Sequence, residues 1–274
     1  MTTAAETRLP LDWVTIMFIG GIHLGALVAF VPGMTNWSAV GVMLLLHWVT
    51  AGLGITLGFH RLVTHRSFQT PKWLEYFLVF CGTLACQGGP IDWVGLHRIH
   101  HLHSDQPGDP HDSNRGFWWS HVGWMLHHIP ADAEVARYTK DINTDPVYLF
   151  LQNWMLGIQV TLGLVLLALG GWPWVIWGIF VRLVLVYHCT WLVNSATHKF
   201  GYRSYASGDR STNCWWVALL SYGEGWHNNH HAYPHSARHG LRWWEIDATW
   251  MMIWLLQKLG LATKVRLAHE SATA

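Results

Sequence analysis

The 274-residue sequence is poor in charged residues. Asp, Glu, Lys and Arg make up only 12% of it, about half the fraction usual in a soluble domain. With a net charge of +1, it has no excess of basic side chains that would point to nucleic acid. Its four cysteines lack C-x-x-C spacing, so neither a zinc ribbon nor a disulfide framework is indicated, and we expect small apolar core residues.

Long uncharged runs take the place of the missing charge. Four of them, 19 to 26 residues long, span 13–31, 38–59, 148–170 and 172–197, and Arg182 is their only charged residue. Each is long enough to cross a hydrocarbon core of about 30 Å as an α-helix. The short connections after the first and third runs predict two hairpins. We therefore predict an all-α integral membrane protein with four transmembrane helices.

The polar parts, 60–147 and 198–274, are predicted to form a helical cap within a single domain, 1–274. Within the first part, 77–91 is apolar but has only 15 residues. It is too short to span, and we expect an interfacial, re-entrant or buried core helix. Within the second part, the amphipathic stretch 243–259 is expected to lie on the membrane or on the cap.

Two hairpins would return the chain to the side on which it starts. The segments before, between and after the hairpins would then share one side of the membrane. Of the 17 Lys and Arg, 16 fall in those segments. Positive residues mark the cytoplasmic side, so we expect both termini and the cap in the cytoplasm.

Histidines are concentrated in the predicted cap. The pattern H-x-x-H-H occurs twice, as His97, His100 and His101 in HRIHH and as His227, His230 and His231 in GEGWHNNHH. Positions i, i+3 and i+4 of a helix lie on one face, so each triplet would project three imidazoles into one volume. A looser pair, His60 and His65 in HRLVTH, would be turned apart by about 140° on an α-helix. The clusters predict a metal site.

With His198, which directly follows a span, the candidate ligands number nine. They are too many for one metal, and they suit two. Imidazole ligands are compatible with zinc, copper, iron and nickel. A carboxylate-bridged di-iron site needs two E-x-x-H motifs, and the sequence has one, from Glu224 to His227. We therefore expect Glu224 to orient a ligand imidazole and not to bind the metal itself.

Several other polar residues have open roles. The carboxylates Asp105, Asp109, Asp112 and Asp209 could accept the second N–H of ligand imidazoles or simply be solvated. Seven histidines without triplet spacing are expected at the surface or beside the ligands: His103, His111, His121, His127, His128, His235 and His239. Within the spans, we expect His23 and His47 to form hydrogen bonds between helices.

The motifs HRLVTH, HRIHH and GEGWHNNHH resemble those of the membrane fatty-acid desaturases of the stearoyl-CoA, delta-9 type. The stretches DPHDSNRGFWWSHVGWM (109–125) and TWLVNSATH (190–198) extend the resemblance over roughly residues 40–240. The tail ARHGLRWWEID resembles the bacterial, cyanobacterial-type branch.

This resemblance implies a non-haem di-iron centre (Fe2+/Fe3+), held by the nine histidines and, through water, by Asn194. It also implies a kinked acyl tunnel, lined near its bend by Gln87, Trp93, Thr190 and Trp191. The implied reaction uses O2 to introduce a cis double bond at delta-9 of a long saturated chain, carried by a lipid or by CoA.

The implied reaction needs two electrons per turnover from outside the chain. The sequence has no cytochrome b5 motif, no iron–sulfur cysteine set and no dinucleotide fingerprint. A separate donor is therefore implied, which would be ferredoxin on the cyanobacterial likeness, or cytochrome b5.

Two other functions stay open at this point. A histidine-box hydroxylase or mono-oxygenase would share the motifs and differ only in the fate of the carbon radical. A non-catalytic metal- or haem-binding membrane protein would use paired histidines inside the spans, such as His23, His47 and His188.

Overall fold

The structure, a computed structural model, describes residues 9–268, and the regular structure of those residues is helical. The α-helices are α1 (Trp13–Leu27), α2 (Trp37–His47), α3 (Lys72–Thr83), α4 (Pro90–His103), α5 (Phe117–His121), α6 (Asp132–Tyr138), α7 (Pro146–Val175), α8 (Arg182–Ser195), α9 (Trp215–Leu220), α10 (His227–Ala232) and α11 (Ala248–Lys258). Wider π-helices occupy Trp48–Thr64 and Ile176–Val181, and 3-10 turns occupy Val28–Phe30, Ser113–Arg115, Gly123–Leu126 and Ala196–His198. Between described residues, β pairing is limited to isolated bridges such as Leu11 with His127.

Three helical segments of the described chain are long and apolar enough to cross a membrane: Trp13–Phe30, Trp37–Thr64 and Pro146–His198. The last has 53 residues, which would be about 80 Å as one straight helix. Gly171 interrupts it with φ +68° and ψ −164°, a conformation open essentially only to glycine. Beyond it, Gly178 lies against Leu166, although a straight helix would separate the two by about 18 Å. The chain therefore folds back at the predicted break.

The apolar helices pack around the second π-helix, Ile176–Val181. On one side the ring of Phe180 lies against Gly25 of α1, and on the other Val42 and Leu46 lie against Gly178. Glycine at such contacts lets helix backbones approach closely. The first two spans, predicted as a hairpin, are thus each packed on this third element.

Helix α3 packs across the first π-helix, Trp48–Thr64. The backbone of Gly82 lies against Gly54, and the carbonyl of Leu78 lies against Gly58. This contact favours the buried core helix among the three alternatives for the stretch 77–91, although α3 begins earlier, at Lys72, and ends at Thr83. It also fixes the π-helix whose end carries two of the candidate ligands.

The amphipathic helix predicted at 243–259 begins later than expected. Asp247 accepts a hydrogen bond from the Trp250 N–H at 2.9 Å and caps α11, which starts at Ala248. Thr249 and Ile253 on its inner face are buried. The preceding residues 243–247 form a turn, so the first five predicted residues are not helical.

Candidate metal centre

The structure brings all nine histidines predicted as ligands into one site. They form two groups, and within each group one ring nitrogen per residue lies within 4.8 Å of the others. The first group is His60, His65, His97, His101 and His230, and the second is His100, His198, His227 and His231. The groups adjoin because α4 and α10 each contribute imidazoles to both of them.

His60 and His65 lie together because they stand on a π-helix. The His65 N–H donates to the His60 carbonyl at 3.1 Å, a bond that spans five residues. In this geometry residues i and i+5 return to nearly the same face, which removes the rotation expected of an α-helix. Their ring centroids are 4.7 Å apart.

The two asparagines between the histidines of α10 hold this short helix in place. Asn228 Oδ1 accepts from the N–H groups of Ser204 and Tyr205 at 2.7 and 2.8 Å. Asn229 Nδ2 donates to the His239 carbonyl at 2.9 Å and to Glu245 at 2.8 Å. Since six residues form a weak helix alone, these buried amides determine where the imidazoles point.

Four carboxylates accept hydrogen bonds from the Nδ1 atoms of candidate ligands. The pairs are His60 with Glu224 at 2.7 Å, His100 with Asp109 at 3.0 Å, His198 with Asp105 at 2.8 Å, and His231 with Asp209 at 2.6 Å. Glu224 thus contacts a candidate ligand as expected, and of the two roles left open for the aspartates, Asp105, Asp109 and Asp209 take the orienting one. Asp112 does not: its carboxylate caps the turn at 113–115 by accepting from the Asn114 N–H.

These carboxylates are ionised at neutral pH. Burial alone would raise the pKa of Asp105, Asp109 and Asp209, but the imidazoles that they contact hold the pKa of each well below its usual range. An ionised carboxylate only accepts hydrogen bonds. Each carboxylate therefore accepts the Nδ1 proton of its partner imidazole, which leaves Nε2 as the atom available to a metal.

The free Nε2 atoms face one another. His100 and His231 both give their Nδ1 proton to a carboxylate, and their Nε2 atoms lie 3.4 Å apart. Two imidazoles that bind one metal at about 2.0–2.1 Å and at right angles would have such nitrogens about 3 Å apart. His65 Nε2 is buried without a hydrogen-bond partner among the described residues. The donor set thus fits metal cations between the rings.

Burial keeps the other imidazoles neutral. It lowers the pKa of five candidate ligands well below 6.5, and these are His65, His97, His101, His227 and His230. Neighbouring imidazoles reinforce this effect, because a second positive ring in the same site would be repelled. A neutral imidazole is the form that binds a metal.

We expect the metal-free protein to lose stability as the pH falls below about 6.5. Unfolded imidazoles bind protons near that pH, whereas the buried ones do not, so acid favours the unfolded state. Each such histidine would contribute about 1.4 kcal/mol per pH unit at most. Thermal unfolding in detergent across this range would measure the decline, and His230→Ala should make it shallower. A constant melting temperature would contradict the neutral, buried state of these rings.

Three histidines that lacked triplet spacing are buried in the described structure: His111, His121 and His239. The ring of His111 lies 4.2 Å from that of His100, and the ring of His239 lies 4.4 Å from that of His230. A surface position is therefore wrong for these residues, and the alternative position beside the ligands is correct for two of them. No helical spacing marks His111 and His239, because irregular loops after α4 and α10 carry them back to the ligands.

A cavity with two arms lies beside the imidazoles. One arm is lined by His97, by Asn194 and by all four predicted tunnel residues, which are Gln87, Trp93, Thr190 and Trp191. The second arm shares Trp93, His97, Thr190 and Asn194 with the first and continues toward Ile55, Cys189 and Tyr222. Gln87 Nε2 donates to Thr190 Oγ1 at 2.9 Å, and this bond joins two walls of the first arm.

Of the two histidines inside the apolar helices, His23 contacts another helix, as predicted, whereas His47 contacts a residue of the turn after α9. His47 Nδ1 lies 2.8 Å from the Tyr222 hydroxyl, and His23 Nε2 lies 3.2 Å from His188 Nε2. Haem between the second pair would need about 4 Å between those nitrogens, since each bond to iron takes about 2 Å. Their direct contact argues against the haem-binding alternative.

The model of the fatty acid desaturase family matches residues 35–264. An sn-1 stearoyl-lipid 9-desaturase from Anabaena variabilis is 70% identical and covers 98% of this chain and 99% of its own length. One of the same name from Synechocystis sp. is 63% identical, over 98% of this chain and 85% of its own length. An sn-2 palmitoyl-lipid 9-desaturase from Nostoc sp. is 49% identical, over 93% of this chain and 90% of its own length.

Proposed function

Because the chain belongs to the fatty acid desaturase family, we propose that it introduces a cis double bond at delta-9 of a stearoyl chain carried by a glycerolipid. The chain is thus an oxidoreductase of lipid metabolism in a membrane. The two-armed cavity lined by imidazoles of both groups is the observation that carries the proposal. It provides both a place for an extended apolar chain and a metal site beside one point of that chain.

We assign the nine histidines as ligands of two non-haem irons, one for each group, with Asn194 reaching the second group through water. When bound, the irons would supply the oxidising power of O2 for removing two hydrogens from adjacent methylenes, with two waters as by-products. Neutral imidazoles and four anionic carboxylates behind them suit a cation whose charge changes between Fe2+ and Fe3+. The carboxylates orient the rings and raise their basicity.

The cavity walls would determine which methylenes react. A saturated chain has many chemically equivalent methylenes, so selection must come from position, and a misplacement of about 1 Å is costly. Trp93 and Thr190 line both arms of the cavity. Together with Trp191 and the Gln87–Thr190 hydrogen bond, they would hold the chain bent at one point, as a cis product requires.

The electrons would come from a separate protein, ferredoxin or, less in keeping with the cyanobacterial relatives, cytochrome b5. Each turnover needs two electrons and two protons in addition to O2.

We also propose that the chain is a single domain with four spans in two hairpins and with its termini and metal site in the cytoplasm. The reversal at Gly171 and the distribution of Lys and Arg support this arrangement.

The proposed function is tested by expression in a host that lacks unsaturated C18 chains, with a matching electron donor supplied. Gas chromatography of each lipid class should reveal a delta-9 cis-monoene in the glycerolipids, and a His230→Ala strain should lack it. Hydroxylated chains would favour the mono-oxygenase alternative. The absence of any new product with a functional donor would contradict the proposal.

Removing a carboxylate that orients a ligand should weaken metal binding. For Asp209→Asn, which replaces the acceptor of His231, we expect metal affinity to fall by about 10–100-fold. Metal titration of the stripped protein would measure it. Asp112→Asn is the matched control, since Asn caps a turn as well as Asp does, and its affinity should equal that of the wild type. Equal losses in both variants would contradict an orienting role for Asp209.

A further inference from the structure

A buried loop, residues 84–89, connects α3 to α4 and carries Gln87 into the first arm of the cavity. Its first three residues, Leu84, Ala85 and Cys86, are buried. Cys86 has φ +54°, in the left-handed region that is unfavourable for most residues other than glycine. Such a loop keeps one conformation only where the surrounding side chains hold it.

The buried side chain of Arg182 holds the start of this loop. Arg182 is 0% exposed, and among the described residues it has no carboxylate partner. Instead, Nη1 donates to the Leu84 carbonyl at 2.8 Å, and Nε donates to the Gly178 carbonyl at 2.7 Å. Because an ionisable group inside a span is costly, such a residue usually has a functional role.

The end of α3 supplies the negative charge that Arg182 needs. Leu84 is the C-cap of α3, and the last carbonyl groups of a helix carry partial negative charge and lack donors within the helix. Gln159 of α7 completes the arrangement. With its amide oxygen 2.7 Å from Arg182 Nη2, its amide nitrogen donates to the Leu84 carbonyl at 3.2 Å. One buried cation therefore joins α3, α7 and α8 where the loop begins.

Other side chains of α8 hold the rest of the loop. The Tyr187 hydroxyl donates to the Cys86 carbonyl, and Gln87 Nε2 donates to Thr190 Oγ1 at 2.9 Å. Arg182, Tyr187 and Thr190 follow one another along α8 and contact successive parts of the loop. The position of Gln87 in the cavity wall therefore depends on how α8 holds the loop.

We propose that Arg182 is a positioning residue for the regioselectivity of the reaction. By fixing the start of the loop, it determines where Gln87 narrows the cavity and thus which methylenes lie beside the metal site. The inference rests on the proposed desaturase function and adds a residue that lines neither arm of the cavity. Because a misplacement of about 1 Å is costly, a small shift of the loop would let neighbouring methylenes react as well.

The position of the double bond tests this role. Strains that express the wild type, Arg182→Gln or Arg182→Lys would be compared by mass spectrometry of the dimethyl disulfide adducts of their monoenes. In Arg182→Gln, the ratio of the delta-9 monoene to monoenes at neighbouring positions should fall by about tenfold. Arg182→Lys keeps a cation that can donate to the Leu84 carbonyl, so it should retain most of the wild-type ratio. A lower yield with an unchanged ratio in Arg182→Gln would overturn the inference, since loss of stability alone does not move the double bond.

Tyr187→Phe tests the same loop with a milder change, which matters if Arg182→Gln gives no folded protein. It removes only the hydroxyl that holds the Cys86 carbonyl, and the ratio should fall by about fivefold, as for the loss of one hydrogen bond. Tyr148→Phe is the matched control, because the ring of Tyr148 is also buried but its hydroxyl donates to Glu75, in the first turn of α3, at 2.9 Å.

The control should keep the wild-type ratio. Equal ratios in Tyr187→Phe, Tyr148→Phe and the wild type would overturn the inference while leaving the desaturase function intact. If the wild type made no monoene with a functional donor, the proposed function itself would fall.

Discussion

Replacing His230 with alanine should abolish desaturation. Its Nε2 lies 3.2 Å from that of His60 and 3.0 Å from that of His101, so it stands at the centre of the first group. The ring is buried, and no solvent-exposed side chain can take its place. Loss of a residue that merely orients a ligand lowers metal affinity or activity by about 10–100-fold. Loss of the ligand itself should lower them at least as much. Product analysis and metal content of the purified variant would measure both effects.

His103→Ala is the control for this prediction. His103 stands on α4 with three candidate ligands but belongs to neither imidazole group. Its removal should leave metal content and product yield close to those of the wild type. A His230→Ala protein that keeps both its metal and its activity would contradict the ligand assignment. A thermal melt of each variant would separate loss of metal from loss of the fold.

The sequence predicts the triplet ligands well because their spacing is a local property. In His97, His100 and His101 the ligand pattern and the helical period coincide, and α4 places all three rings at one site. His198 is different. It has no patterned neighbour, and its position directly after a predicted span would be weak evidence for a ligand without the resemblance to a known family.

The pair His60 and His65 shows where local reasoning fails. Nothing in HRLVTH distinguishes an α-helix from a π-helix, and the predicted rotation of about 140° assumed the former. The wider turn is stabilised by packing, since Gly54 and Gly58 bring α3 against its backbone. Tertiary contacts, not propensity, therefore bring these two rings together.

The long apolar helices were predictable from hydropathy, but their packing was not. The break before Pro173 was visible as the sequence GWP, and the reversal occurs there, at Gly171. The start of α11 depends instead on one carboxylate, Asp247, whose capping bond stops the helix short of the predicted 243. For His111 and His239 the sequence left a surface position and a position beside the ligands open, because no periodicity describes the loops that place them in the site.

Arg61→Leu should be the most destabilising single substitution that we predict. Arg61 is 0% exposed. It donates to Glu224 at 2.9 and 3.1 Å, to Asp247 at 2.9 Å and to the Ala237 carbonyl at 2.8 Å. Its loss would leave two buried carboxylates without a cation, which typically costs about 3–5 kcal/mol. We expect the melting temperature in detergent to fall by roughly 10 °C.

The same substitution should reach the metal site through Glu224. Burial alone would raise the pKa of Glu224, but Arg61, together with His60 and His239, holds it well below its usual range. Without the guanidinium that pKa rises, and the carboxylate loses its hold on His60 Nδ1 at 2.7 Å. Arg61→Leu protein that remains folded should therefore bind metal more weakly than the wild type.

Arg66→Leu separates this effect from the loss of any arginine. Arg66 pairs with Asp141, but its side chain is 61% exposed, and exposed pairs contribute little to stability. Its melting temperature should stay close to that of the wild type. In a double-mutant cycle, Glu224→Gln should cost less when Arg61 is already Leu, because the two groups act as one network. Two results would contradict this prediction: additive losses of stability in the cycle, or equal melting temperatures for Arg61→Leu and Arg66→Leu. Either would mean that the buried network does not stabilise the packing of the first π-helix on the loops of the metal site.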